Sequence, residues 1–283
     1  MRIFLVVALL LFNLQAKSLF SNDNQAETGK YILALKDLIV AAQRTRGVTL
    51  SYINGNQSAL LLIQNYRDDM KKAIGDMDSL PLAKEPTINS RATLISNSFT
   101  KLNSRALKMT STEAFDAYSE NIAQALMLAQ TVSKSGSKNM NDFGKEVSSI
   151  MMETIMPLSE YIGKQRALGS GAAAKGSANE TVKVKMKVLL HKIEKLNDQL
   201  QSQMRSVVNQ KPDYYNANVN SRLITAQQKI NKYVAFSKKE LFKDKITIDA
   251  NEYFTMATDA ISTIMVIFDM NIVAIEEDSK GWI

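Results

Sequence analysis

Cysteine is absent from the 283 residues, which excludes a disulfide framework, a thiolate metal site and a cysteine nucleophile. Prolines number only 4 and glycines 11, so long stretches run without the residues that interrupt helices. The single histidine, His191, has no companion ligands in its surroundings and reads as a surface or packing residue rather than a metal ligand. No segment alternates apolar and polar residues with β-branched enrichment, so no sheet is expected. A recognisable serine, histidine and acid set is also missing. The stretch Gly171 to Ser177 has the wrong order for a phosphate-cradling loop and follows a helical pattern rather than a strand. Neither catalytic apparatus nor a cofactor is expected.

Long hydrophobic runs are scarce too. After Met1 and Arg2, an apolar run extends from Ile3 to Phe12, with Leu14 and Ala16 at the −3 and −1 positions of a cleavage site. That run is about half the ~20 residues that a bilayer span needs, so residues 1–16 read as a signal peptide. The mature protein is then expected in the periplasm or outside the cell, after cleavage near Ala16. A second apolar stretch, Ile261 to Ile275, is short, contains Asp269 and is closely followed by Glu276 and Glu277, which marks a buried core helix. The net charge of +7 is spread among acids, and export argues against nucleic acid. The most basic segment, Lys183 to Lys187, reads as one wet helix face.

What is present is helical periodicity. Apolar residues spaced three and four apart predict helices over 27–53, 57–79, 88–108, 112–134, 140–168, 179–209, 214–240 and 249–277. Breaks fall at Asn54-Gly55, Pro81 to Pro86, Ser135-Gly136, Gly169 to Gly176, Lys211-Pro212 and Lys243 to Thr247. The methionines fall at the same spacings and read as core filler.

Comparing the chain with itself reveals a duplication. Gln43-Arg44-Thr45-Arg46-Gly47 aligns with Gly163-Lys164-Gln165-Arg166-Ala167, Asn89-Ser90-Arg91 with Asn220-Ser221-Arg222, and Glu113-Ala114-Phe115 with Glu252-Tyr253-Phe254. The last pair extends to Ser119 and Ile122 opposite Thr258 and Ile261. Two copies of a four-helix unit follow, residues 17–145 and 146–283, an all-α fold of two up-and-down four-helix bundles.

On a heptad grid Ile32, Ile39, Arg46 and Ile53 share one position, so Arg46 interrupts an apolar seam. Met151, Ile155, Leu158 and Ile162 lead to Arg166 in the same way. Arg44 is turned by about 200° from Arg46 on an ideal helix and cannot share its cavity unless the helix is distorted. The two seam arginines either snorkel, pair with a carboxylate such as Glu160, or hold an exogenous anion, since a buried unpaired cation is costly.

These residues carry a resemblance. Ala42 to Gly47 followed by Leu50 and Ser51 is similar to the Gln-x-x-Arg-Gly opening of the nitrate- and nitrite-sensing (NIT) domain family. Tyr118 to Ile122 comes next. Glu160 to Gly169 resembles its central motif, and Tyr253 to Thr258 its aromatic-aromatic-x-x-Ala-Thr signature. The chain has Tyr253 where the family usually has tryptophan, and Gln165 where it has glutamate before the central arginine. The resemblance implies an anion held by arginines between helices, with Arg44, Arg46 and Arg166 as contacts and Arg222 as the arginine in the region of a further one. It implies sensing of nitrate or nitrite, signalled to a membrane sensor kinase, chemoreceptor or transporter, with a homodimer left open. The alternative is a helical interaction module without a ligand that docks on a membrane receptor or transporter.

Overall fold

The computed structural model describes residues 2–280, with residues 2–26 and Asn139 described by their backbone alone. The signal peptide expected over residues 1–16 therefore lies outside the residues described in full. The helices are α1 (Arg2–Ile53), α2 (Ala59–Ser79), α3 (Pro86–Arg105), α4 (Ser111–Gly136), α5 (Asp142–Ser149), α6 (Met156–Lys175), α7 (Glu180–Gln210), α8 (Val219–Glu240) and α9 (Ala250–Lys280). A π turn, Ile150–Ile155, joins α5 to α6 into one rod, so among the described residues there are eight helical rods and no strand.

Local chemistry sets the ends of these rods. Thr110 and Glu113 form a reciprocal capping box at the start of α4, and the side chains of Asn141 and Asn179 accept the backbone N–H of Gly144 and Val182 to start α5 and α7. Gly55 and Gly176 turn the chain after α1 and α6 with φ of 112° and 75°, a region that side chains disfavour. The π turn has its cause in Pro157. Proline lacks the N–H of the regular ladder and crowds the carbonyl four residues earlier, and the helix widens immediately before it.

Packing arranges the rods in two rings. α1 lies against α2 and α4, and α3 closes the first ring; α6 lies against α7 and α9, and α8 closes the second. The all-α, two-bundle expectation holds. A long α1–α6 contact joins the rings, and a continuous apolar core from Tyr31 to Ala274 runs through both. Each large aliphatic side chain buried there contributes about 1.5–3 kcal/mol by leaving water. The apolar stretch of α9 is part of this core, with Ile261, Ile264, Ile267 and Phe268 buried, while Asp269 turns outward to accept from Lys36.

One boundary differs from expectation. The break predicted over Gly169 to Gly176 begins only at its last residue, because α6 continues to Lys175 with Gly169, Ser170, Gly171 and Ala172 buried. These small residues are interface rather than loop. A Cβ on Gly169 would stand 2.3 Å from the Tyr253 ring, and one on Gly171 3.0 Å from the Asn54 side chain. Neighbouring helices approach too closely for larger side chains.

Candidate functional site

The site lies where α1 crosses α6, and two glycines make the crossing close. A Cβ on Gly163 would stand 3.1 Å from Arg46 Nη2, and one on Gly47 would stand 2.7 Å from the Phe254 ring and 3.5 Å from Arg166 Nε. Each helix thus presents a glycine to the arginine of the other. Arg46 and Arg166 are the two largest fully buried side chains, at 0% and 1% exposure.

The duplication extends into their contacts. Arg46 Nη1 donates to Ser119 Oγ (2.9 Å) and its guanidinium lies 5.6 Å from the Phe115 ring centre. Arg166 Nη1 donates to Thr258 Oγ1 (2.8 Å) and its guanidinium lies 4.5 Å from the Phe254 ring centre. Ser119 and Thr258, like Phe115 and Phe254, are partners in the repeat, so each bundle uses its last helix to hold its own arginine.

The symmetry breaks at one residue. Arg46 forms a two-pronged ion pair with Glu160, Nη1 to Oε1 at 2.7 Å and Nη2 to Oε2 at 3.2 Å, and Gln43 Nε2 also donates to Oε2 (3.0 Å). Lys164 Nζ stands 3.6 Å from Oε1. Of the readings open for the seam arginines, pairing with Glu160 holds for Arg46. Glu160 sits six residues before Arg166; six residues before Arg46 stands Val40, an apolar side chain packed on the core. Arg166 consequently has no carboxylate, and its Nε and Nη2 are enclosed without a partner. Burial, with the Arg46 charge nearby, pushes its guanidinium down from 12.5 to about 9. A bare, buried, two-donor edge is a receptor for a planar acceptor.

Arg44 and Arg222 lie elsewhere. Arg44 is half-buried, 5.9 Å from the Tyr66 ring, in a surface groove of about 450 Å³ with Asp37, Asp69 and Asp76. The turn of about 200° expected from helix geometry is what separates it from Arg46. Tyr66 stacks on Phe254 with centroids 6.2 Å apart, so Arg44, Tyr66, Phe254 and Arg166 form a ladder from the surface to the buried cation. Arg222 stands exposed on the first turn of α8, a helix that packs on α7 and α9, and no hydrogen bond joins it to the buried pair. His191 is exposed, and no cluster of metal-ligating side chains occurs among the described residues. Of the basic residues expected to form one wet face, Lys185, Lys187, Lys192 and Lys195 of α7 are exposed, whereas Lys183 is largely covered and pairs with Glu180 (3.1 Å).

Sequence reasoning missed Arg67. It lies on α2 among polar residues with no seam pattern, and only the packed bundle brings its Nε and Nη2 inside.

Comparison with known proteins bears on this geometry. The family described as nitrate and nitrite sensing matches residues 37–267. In fold the chain is similar to the structure of the NasR transcription antiterminator, with a TM-score of 0.63 and 13% sequence identity over 97% of this chain and 74% of that one. No curated protein matches it in sequence. Gln165 and Tyr253 face each other across the α6–α9 contact, with Gln165 Nε2 3.5 Å from the Tyr253 hydroxyl.

Proposed function

The chain belongs to the nitrate and nitrite sensing family, and from that premise we propose that it binds nitrate or nitrite on the bare guanidinium edge of Arg166, between α1 and α6. One observation carries this reading: Arg166 is buried and keeps Nε and Nη2 unpartnered at the repeat position where Arg46 has a carboxylate. The bound anion takes the place that Glu160 takes for Arg46.

The chemistry suits such an anion. Nitrate stays charged at any physiological pH and offers coplanar acceptors, which match the donors on one edge of a guanidinium. Phe254 fixes the plane of that guanidinium and Thr258 occupies Nη1, so the free edge is pre-oriented. Arg44 stands half-buried at the outer end of the aromatic ladder, in a groove whose other charged residues are Lys36, Lys72 and four aspartates. At 1% exposure Arg166 is reached only when α1 and α6 part or the ladder shifts. An anion that prefers one of these arrangements therefore shifts the balance between them by its difference in affinity.

The sensor is proposed to be exported by its N-terminal leader and to pass its state to a partner, a membrane sensor kinase, chemoreceptor or transporter. Calorimetric titration of the mature chain with sodium nitrate and sodium nitrite tests the ligand. Saturable heat that disappears in Arg166→Met supports the site. Heat from neither anion, or heat unchanged in that variant, refutes it.

A further inference from the structure

Three enclosed donors inside the first bundle crowd one shared acceptor, the Tyr118 hydroxyl, and have no other. All four helices of the bundle contribute to this cluster: Thr49 from α1, Arg67 from α2, Asn103 from α3 and Tyr118 from α4. The Tyr118 hydroxyl, fully buried, donates to Asn103 Oδ1 (2.9 Å). The same hydroxyl lies against Thr49 and Arg67, whose polar groups oppose the rise that burial gives its pKa. Thr49 is 0% exposed and its Oγ1 has no other partner. Nε and Nη2 of Arg67 are enclosed and equally without another. None of the ion pairs among the described residues includes Arg67.

The second bundle shows a closed counterpart. There the Tyr253 hydroxyl bonds to Ser237 Oγ (2.8 Å) and Tyr233 Oη (2.8 Å), and the hydroxyls satisfy one another while the Arg166 charge acts on Tyr233 from nearby. In the first bundle a cation takes part and the hydroxyl of Thr49 is left over. Two adjacent enclosed N–H donors on one edge of a partly buried guanidinium, an O–H donor beside them and no ion pair to the cation together favour an acceptor that carries negative charge, because buried donors that lack a partner are costly.

We propose that the interior of the first bundle holds a second anion site, in which Arg67 grips a small monovalent anion by Nε and Nη2 while Thr49 donates its hydroxyl. The site takes an anion of nitrate size or smaller, and chloride is the competing source of the same charge. The two sites share no residue, so each is tested by its own variants. Arg46 stands one turn before Thr49 on the same face of α1, so the second site adjoins the Arg46–Glu160 pair without using it.

The test uses the full mature chain. Arginine Nε–H resonances are assigned by Arg67→Lys and Arg166→Lys, and nitrate, bromide and chloride are titrated separately. Crystals of the unsubstituted chain grown in sodium bromide supply anomalous scattering that depends on no variant. The expected result is a saturable shift of the Arg67 Nε–H that persists in Arg166→Met, is weakened about tenfold in Thr49→Val by loss of a hydrogen bond to the anion, and coincides with a bromide peak beside Arg67. An Arg67 resonance unmoved by all three anions, with water in place of bromide, overturns the site. A response from Arg166 alone leaves the sensing proposal standing and removes this one, and a response from Arg67 alone does the reverse.

Discussion

Replacing each of the two buried arginines by methionine is expected to change stability in opposite directions. Arg166 is pushed from 12.5 to about 9, and at 1.36 kcal/mol per unit this is roughly 5 kcal/mol disfavouring the buried cation. Its hydrogen bond to Thr258 and its position over Phe254 return about 1–3 kcal/mol. Methionine fills much of the same space without a charge, so Arg166→Met is expected to stabilise the anion-free protein by about 2–4 kcal/mol. Arg46→Met instead strands Glu160, a carboxylate 4% exposed, with only Gln43 and the more distant Lys164 for company. The expected loss is about 3–5 kcal/mol. Urea unfolding in buffer free of nitrate and nitrite measures both through the transition midpoint at constant slope. If Arg166→Met loses as much stability as Arg46→Met, the guanidinium edge is compensated inside the protein and the argument for an anion there fails.

Alkaline titration separates two opposing groups. The depressed pKa of Arg166 makes its cost full below about pH 9 and relieved as pH rises from there toward 12.5, so the stability gap between Arg166→Met and the unsubstituted chain should narrow above pH 9. Tyr253, pushed up to about 12 by burial, works the other way: its contribution is full below pH 10 and is lost as pH rises through 12 in both proteins. Unfolding midpoints measured across that range check this, and a constant gap counts against the depressed guanidinium. Glu160→Gln should free Arg46 for an anion, adding one equivalent to nitrate binding in calorimetry; an unchanged stoichiometry would show that the crossing does not admit a second anion there. Gly169→Ala should cost about 2–3 kcal/mol, since its Cβ meets a Tyr253 ring tethered by Ser237 and Tyr233. Gly75→Ala, with open space around it, should stabilise by about 0.5–1 kcal/mol. Thermal unfolding of the pair compares them directly, and equal effects would refute the close α6–α9 contact.

The sequence by itself determined the helical class, the duplication and the identity of the two seam arginines, because these follow from periodicity and self-comparison along one chain. The alignment of Ser119 with Thr258 was legible too, but that these hydroxyls hold the two arginines came only from the structure. Periodicity reports which face of a helix turns inward, and it separated Arg44 from Arg46 correctly. It carries no information about what arrives from another helix. Only the packed crossing at Gly47 and Gly163 decided that Glu160 reaches Arg46, while α1 carries the apolar Val40 at the corresponding repeat position and brings no carboxylate to Arg166, so one guanidinium is paired and the other bare. Small residues misled in the opposite sense: Gly169 to Lys175 reads as a break by propensity, yet tertiary contact with α1 and α9 holds it helical. Arg67 was invisible for the same reason. Its neighbours in sequence are polar, and its enclosure among Thr49, Asn103 and Tyr118 exists only once four helices have closed around it.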